Sequence, residues 1–346
     1  MPSQILHVLF GKDVIAALYK QLKSEPTAQK TLEKITCGHD KVFSLGCQGP
    51  DIFYHSQRQR PVALEYGSLL HRRGFGVFAA NLLEMALPDP PLTAYALGFV
   101  THAILDRFCH PYIVYKAGKN YHSFFERIID VFMLKRLELK EVSSWDQEGL
   151  LAETCENPPP GLNELLAKAM AAAFPEKTQK DRQLAKRIDN TFIDSARFYR
   201  MSAPANTAIE KMSSANNNQK PLPSKRFLMY TFPEYIPDDI DFLNLQNKTW
   251  RYPYIPPSST QAPQNDCRSF IEIYADAVEA AVNILAPCIT QYFISGVFPV
   301  TEASAGIGNT GLSIQDEEGK PCPPNICDIF PLEEVLQQQG KLRGII

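Results

Sequence analysis

The chain has no block of basic residues, no large excess of either charge and no long uninterrupted apolar run. With 35 basic against 38 acidic residues and a formal net charge of -3, it lacks the footprint of a protein that works by neutralising phosphate backbones, so no stable nucleic-acid complex is expected. No stretch approaches about 18 consecutive apolar residues, and a transmembrane segment is therefore not expected. The opening "MPSQILHVLFGKDVIAALYK" carries no basic leader, and Lys12 and Asp13 interrupt its apolar residues before a secretory core can form; the expectation is a cytoplasmic protein. The eight cysteines are scattered, which without an export signal points to reduced thiols rather than a disulfide framework. Cys322 and Cys327 in "PCPPNIC" make a weak zinc signal with no partner pair, against the plainer reading of a loop.

Histidine is missing from the last 224 residues. All seven, at positions 7, 39, 55, 71, 102, 110 and 122, lie in the amino-terminal third, which locates imidazole chemistry there and leaves the rest as scaffold and pocket wall. Strand-type alternation is also nearly absent, whereas helical periodicity recurs, so the fold class is all-α. Helices are expected over 12–22, 27–36, 64–85, 91–109, 122–139, 162–174, 180–201 and 268–295, with Pro111 ending the fourth directly after His110. Residues 1–300 read as one helical domain. Within it 202–266 is a Pro-, Ser- and Asn-rich excursion carrying Phe227, Tyr230, Phe232, Tyr235, Trp250, Tyr252 and Tyr254, a candidate wall of the cleft or a loop tucked over the back. Residues 301–346 read as a peripheral tail ending in one short helix, "LEEVLQQQGKLRGII".

Two stretches place polar groups where a helix would bury them. "THAILDRFCHPY" sets His102, Asp106 and His110 at steps of four, one column on a single helix face, and "YHSFFERIID" repeats the device with His122, Glu126 and Asp130. Such a gathering of carboxylates and imidazoles is costly to bury unless a positive ion sits between them. Asp51 follows the turn signal Gly49-Pro50 in "LGCQGPDIFYH", and His71 stands on the next helix in "GSLLHRRG". The mixed nitrogen and oxygen donors suit zinc, and seven of them are too many for one tetrahedral ion; two ions with a bridging carboxylate fit the count, an arrangement used to hydrolyse phosphoesters. Arg72, Arg73 and Arg107 flank the donors, either to contact a phosphate or as solvated helix charges. His39 and His55 stand outside the set as surface or supporting groups, and Asp130 is assigned to orienting a ligand or capping a salt bridge.

The succession "GPDIFY", "YGSLLHRRG", "ALGFVTHAILDRFCHPY" and "YHSFFERIID", followed by "LNLQNKTWRYPY" and "RSFIEIYADAVEAA", resembles the zinc-dependent phospholipase C family, an all-helical group related in fold to zinc-dependent single-strand nucleases. The resemblance runs from His7 to about Leu285. It implies a multi-helix bundle in which Asp51, His71, His102 and Asp106 form one zinc site, with Asp106 able to bridge, and His110, His122 and Glu126 form a second. His7 matches the histidine that completes a third site together with a processed amino terminus, so two or three Zn2+ ions are implied. The activity implied is hydrolysis of a phosphodiester, phospholipid or related, by a metal-activated water that Asp51 orients or deprotonates. Two other readings share the ligand framework: a zinc-stabilised binding or scaffold protein without turnover, and a nuclease-like hydrolase using aromatic side chains to stack bases.

Overall fold

The computed structural model describes residues 4–58, 62–136, 144–203, 227–255 and 264–343. Among them the fold is all-α, a multi-helix bundle; the strands described are two-residue segments at Trp250–Arg251 and Asn265–Asp266, paired antiparallel. Helix α1 (Ile5–Gln21) enters the core almost at once, burying Ile5, Leu6, Val8 and Phe10. Helix α2 (Pro26–Thr36) starts on a proline, whose fixed φ suits a first turn, and buries Ala28, Leu32 and Ile35 at helical spacing. Helix α3 (Asp40–Gly46) leads into a 3-10 helix, Gly49–His55, so Asp51 stands in tight helical backbone rather than in the loop expected for it. The helix expected over 64–85 is two, α4 (Val62–Arg72) and α5 (Phe75–Ala86), because the chain turns at Gly74 with φ 71°.

Helix α6 (Pro90–Arg136) is the spine. It does not stop at Pro111; it runs on at the cost of one backbone bond and breaks instead at Gly118, at φ 60° and ψ -170°. That break is decisive. A straight helix would separate residues 110 and 126 by about 24 Å, yet His110 Nε2 lies 3.3 Å from Glu126 Oε1, so the chain folds back on itself there. The returning arm is fastened to the start of α1: Asp130 accepts the Leu6 and Gln4 amides at 2.8 and 3.3 Å and pairs with the fully buried Arg127 at 3.2 Å.

Short helices α7 (Glu153–Glu156) and α9 (Pro175–Thr178) flank α8 (Leu162–Ala173), and α10 (Leu184–Met201) buttresses the 3-10 helix that carries Asp51. There Thr191 bonds Ser56 at 2.7 Å and Asp194 accepts the Gln57 amide at 2.8 Å. Helix α11 (Phe270–Ser295) begins on a capping box, Ser269 with Glu272, and packs against α1 and α6. By length and composition it could cross a membrane, although Glu272, Asp276 and Glu279 lie in its first three turns.

The end of the chain is not peripheral. Helix α12 (Val300–Ile307) packs on α5, and Leu312, Leu332 and Val335 are buried, the last two on α13 (Leu332–Leu342). Between α12 and α13, Leu312 N donates to the His71 carbonyl at 2.9 Å, and the Arg107 guanidinium grips the carbonyls of Ile307, Gly308, Thr310 and Gly311. Leucine burial of this kind contributes roughly 1.5–3 kcal/mol, more than a solvated tail could gain. The 202–266 excursion, described only for 202–203, 227–255 and 264–266, divides. Phe232 lies 4.3 Å under the Arg127 guanidinium and the Tyr230 ring meets Phe198 at 5.8 Å, beside the polar centre. Trp250 packs instead on Tyr112 at 5.5 Å; Tyr112, two residues past His110, is turned by about 200° around α6 and faces away from it.

Candidate metal centre

Eight side chains from four elements converge: His7 from α1, Asp51 from the 3-10 helix, His71 from α4, and His102, Asp106, His110, His122 and Glu126 from the two arms of α6. Their donor atoms form three groups, His7 with His102 and Asp106, Asp51 with His71 and His102, and His110 with His122 and Glu126, each within 4.8 Å. Asp106 joins them. Its Oδ2 lies 3.2 Å from His102 Nε2, and its Oδ1 lies 3.4 Å from His7 Nε2 and 3.6 Å from His110 Nε2. The first group therefore sets Asp106 beside His7, where the family resemblance implies a site with Asp51, His71 and His102.

Three imidazoles are held in one tautomer by backbone. Nδ1 of His71 donates to the Gly67 carbonyl at 2.7 Å, that of His102 to Cys47 at 3.1 Å, and that of His110 to Leu312 at 2.7 Å. A carbonyl can only accept, so each neutral ring turns an unprotonated Nε2 inward. His71 Nε2 then sits 3.0 Å from Asp51 Oδ1, and His122 Nε2 sits 2.8 Å from Glu126 Oε1. The His7 and His102 rings stack at 4.0 Å, and Tyr54 lies 4.9 Å from His71. Gly49, at φ 52°, has no room for a side chain: a Cβ there would stand 2.4 Å from the His102 ring.

Electrostatics show what the arrangement demands. Burial pushes the Asp51 and Glu126 carboxyls up, yet the surrounding positive groups, histidines among them, together outweigh it and hold both well below the usual carboxylate range. Asp106 is driven down in the same way by His110 and His102. Burial opposes charge on His110, but Asp106 and Glu126 push it up to about 9, whereas burial beside His102 takes His7 down to about 3. Three buried carboxylates thus stay ionised and call for positive charge.

The residues fit a metal by their own geometry. His102 Nε2 and His7 Nδ1 are buried without a hydrogen-bond partner, although a carboxylate oxygen of Asp106 lies 3.2 Å from the former. Donors on one tetrahedral zinc stand about 3.3 Å apart at ordinary zinc–nitrogen and zinc–oxygen lengths, close to the 3.0–3.6 Å separations among Asp51, His71, His102, Asp106, His7 and His110. His71 meets Asp51 in a hydrogen bond at 3.0 Å, while the Asp106 approaches to His102, His7 and His110 at 3.2–3.6 Å leave His102 Nε2 unpartnered, a spacing that suits ligands around a shared ion.

Other expectations resolve differently. His55 is buried, not surface; its Nδ1 meets Ser195 Oγ at 3.1 Å and its ring stacks on Phe198 at 4.0 Å, supporting the segment that holds Asp51. His39 precedes α3 and makes no side-chain cap. Asp130 caps a salt bridge, as one of its two expected roles, and fixes the backbone beside His7. Arg107 is engaged by the carbonyls of residues 307, 308, 310 and 311 and is not a solvated helix charge. Cys322 and Cys327 join no metal-capable group among the described residues. What sequence reasoning missed are the backbone carbonyls of Cys47, Gly67 and Leu312, which leave no trace in side-chain patterns, and Gly49, whose turn signal was read without its close approach to His102.

A model of the family described as zinc dependent phospholipase C matches residues 6–206. Neither a curated protein nor a solved structure gives a match. The matched stretch takes in more than half of the chain and all eight converging residues. Match and metal-capable clusters agree, and the chain belongs to the zinc dependent phospholipase C family, as a metal-dependent hydrolase of phosphodiesterase type.

Proposed function

We propose that the metal is zinc, bound as two or three ions, and that the substrate is a phosphodiester of phospholipid or related type. The convergence of nitrogen and oxygen donors on Asp106 carries this reading. Asp51, His71 and His102 would hold one ion and His110, His122 and Glu126 a second, with Asp106 within reach of both groups and His7 beside it as a donor toward a third position. When bound, zinc supplies Lewis acidity toward the phosphoryl oxygens and toward water.

The side chains do the rest. Asp51 stays ionised at the cluster edge, beside the partly exposed His71, and is the base that orients the attacking water and takes its proton. The carbonyls of Gly67, Cys47 and Leu312 lock the imidazoles so that no reorganisation accompanies the reaction. No side-chain nucleophile is needed. The protein is proposed to work in the cytoplasm, and the clustered ligands support turnover over a purely structural role because His71 and His122 keep part of their surface open to solvent. A screen of the zinc-loaded protein over phospholipids, glycerophosphodiesters and single-stranded nucleic acid, against Asp51→Asn, tests it. Hydrolysis of a lipid-type diester that collapses in the variant while zinc content holds is expected; full activity in Asp51→Asn removes the assigned base, and cleavage confined to nucleic acid favours the nuclease reading.

A further inference from the structure

The strongest unassigned feature begins one residue past His71. A groove of about 810 Å³ opens between the end of α4 and the α8–α9 junction, with Leu69 and Phe174 as an apolar floor. Four cations, Arg72, Arg73, Lys177 and Lys180, line it against two carboxylates, Glu65 and Glu176. Lys177 is engaged, paired with Glu65 and 5.1 Å above the Tyr66 ring. Among the described residues Arg72, Arg73 and Lys180 have no ion-pair partner. The groove is therefore net positive, in a chain whose overall charge is negative.

Its position ties it to the metal centre. Arg72 directly follows His71 at the end of α4, and the Tyr54 ring rests 4.9 Å from His71, a ligand candidate. The end of α4 thus carries a donor of the centre and a lining residue of the groove side by side. The ions take the scissile phosphate, so a second set of cations next door has no work in binding that group. Two adjacent guanidiniums present forked donors that match phosphate oxygens in pairs, which solitary lysines do not. The apolar floor offers a ring or carbon skeleton somewhere to lie beneath them.

Building on the hydrolase reading, we propose that this groove is an anion subsite that takes a further phosphate carried by the substrate's head group, so that the preferred phosphodiester bears a second, monoester phosphate. Arg72 and Arg73 contact that phosphate, Lys180 closes the outer side, and Phe174 supports the group that carries it. The site selects among phosphodiesters and takes no part in the bond change.

The test compares matched pairs: phosphatidylinositol and phosphatidylinositol 4-phosphate, each as soluble short-chain forms and in phosphatidylcholine vesicles, with the zinc-loaded full chain, Arg72→Gln/Arg73→Gln and the milder Lys180→Gln. The expected result is a kcat/KM advantage for the phosphorylated member of about tenfold or more, as a pair of charge-assisted contacts supplies. That ratio should fall to near one in the double variant and to an intermediate value in Lys180→Gln, with zinc content equal in all three. Equal rates for the two members, or a ratio that survives the double variant, overturns the subsite. So does a preference found in vesicles but not in soluble forms, since that reports attraction to a charged bilayer rather than a groove. Should neither member be hydrolysed, the hydrolase reading fails by itself, and calorimetric titration with inositol 1,4-bisphosphate still decides: binding weakened about tenfold or more in the double variant supports the groove, and unchanged binding overturns it.

Discussion

At the level of single residues, the centre is a problem of charge that its neighbours already half solve. His110, pushed up to about 9 by Asp106 and Glu126, carries a proton at neutral pH in the metal-free protein. Coordination has to displace that proton, so zinc binding should release protons near pH 7 and tighten as pH rises toward 9. Calorimetric titration in buffers of different ionisation enthalpy reads this; an enthalpy independent of buffer would contradict it. Asp106 and Asp130 offer the sharper comparison, because both are buried carboxylates on α6 with different work. Asp106→Asn removes the negative charge and one of the two oxygens, Oδ1 toward His7 and His110 and Oδ2 toward His102, and should cost most of the bound zinc. Asp130→Asn leaves Arg127 buried beside a weaker acceptor, so it should lower stability by about 3–5 kcal/mol while retaining more metal than Asp106→Asn. Equal zinc contents would mean that the column is wrongly assigned.

Helix by helix, what could be read beforehand depended on whether a side chain carried the information. The columns His102–Asp106–His110 and His122–Glu126 were legible because a spacing of four stacks side chains on one face, and their contacts are as that period requires. The turn that brings the columns together was not. Pro111 is the louder breaker, but a helix survives proline for the loss of one bond, whereas φ 60° with ψ -170° at Gly118 belongs to glycine almost alone. Gly118→Ala should therefore cost about 1–3 kcal/mol, aggravated by Ile329, which a Cβ would approach to 2.9 Å. It should also lower zinc content, since His110 and Glu126 meet only across this hairpin. Thermal melts with elemental analysis check both; an unchanged melt and full metal would show the hairpin to be tolerant. The tail was misjudged for the same reason: its part in the centre is played by the Leu312 carbonyl and by carbonyls gripped by Arg107, invisible in composition. Arg107→Leu strands those acceptors and should destabilise by about 3 kcal/mol, seen as a shift in denaturation midpoint; a peripheral tail would show none.

Over the whole molecule, the bundle acts as a frame around one buried polar centre. Helices α1 and α4, the 3-10 helix and both arms of α6 set the donors, and α10 buttresses the 3-10 helix; α12 and the stretch of chain after it close the frame on the side of His71 and His110. The all-α class followed from periodicity, and the set of converging donors from the ordered motifs; the path of the chain beyond Val300, and the division of the aromatic excursion between the flank of the centre and its back, did not. Removing the metal leaves ionised carboxylates and imidazoles facing one another in the core, so chelation should lower the melting temperature as well as stop hydrolysis. The most direct measurement is elemental analysis joined to a phosphodiesterase assay on one preparation, before chelation, after it, and after zinc is returned. The account predicts at least two zinc ions per chain, activity lost with them and regained with them. Fewer than one ion per chain after repletion, or hydrolysis that persists in the fully chelated protein, would contradict it.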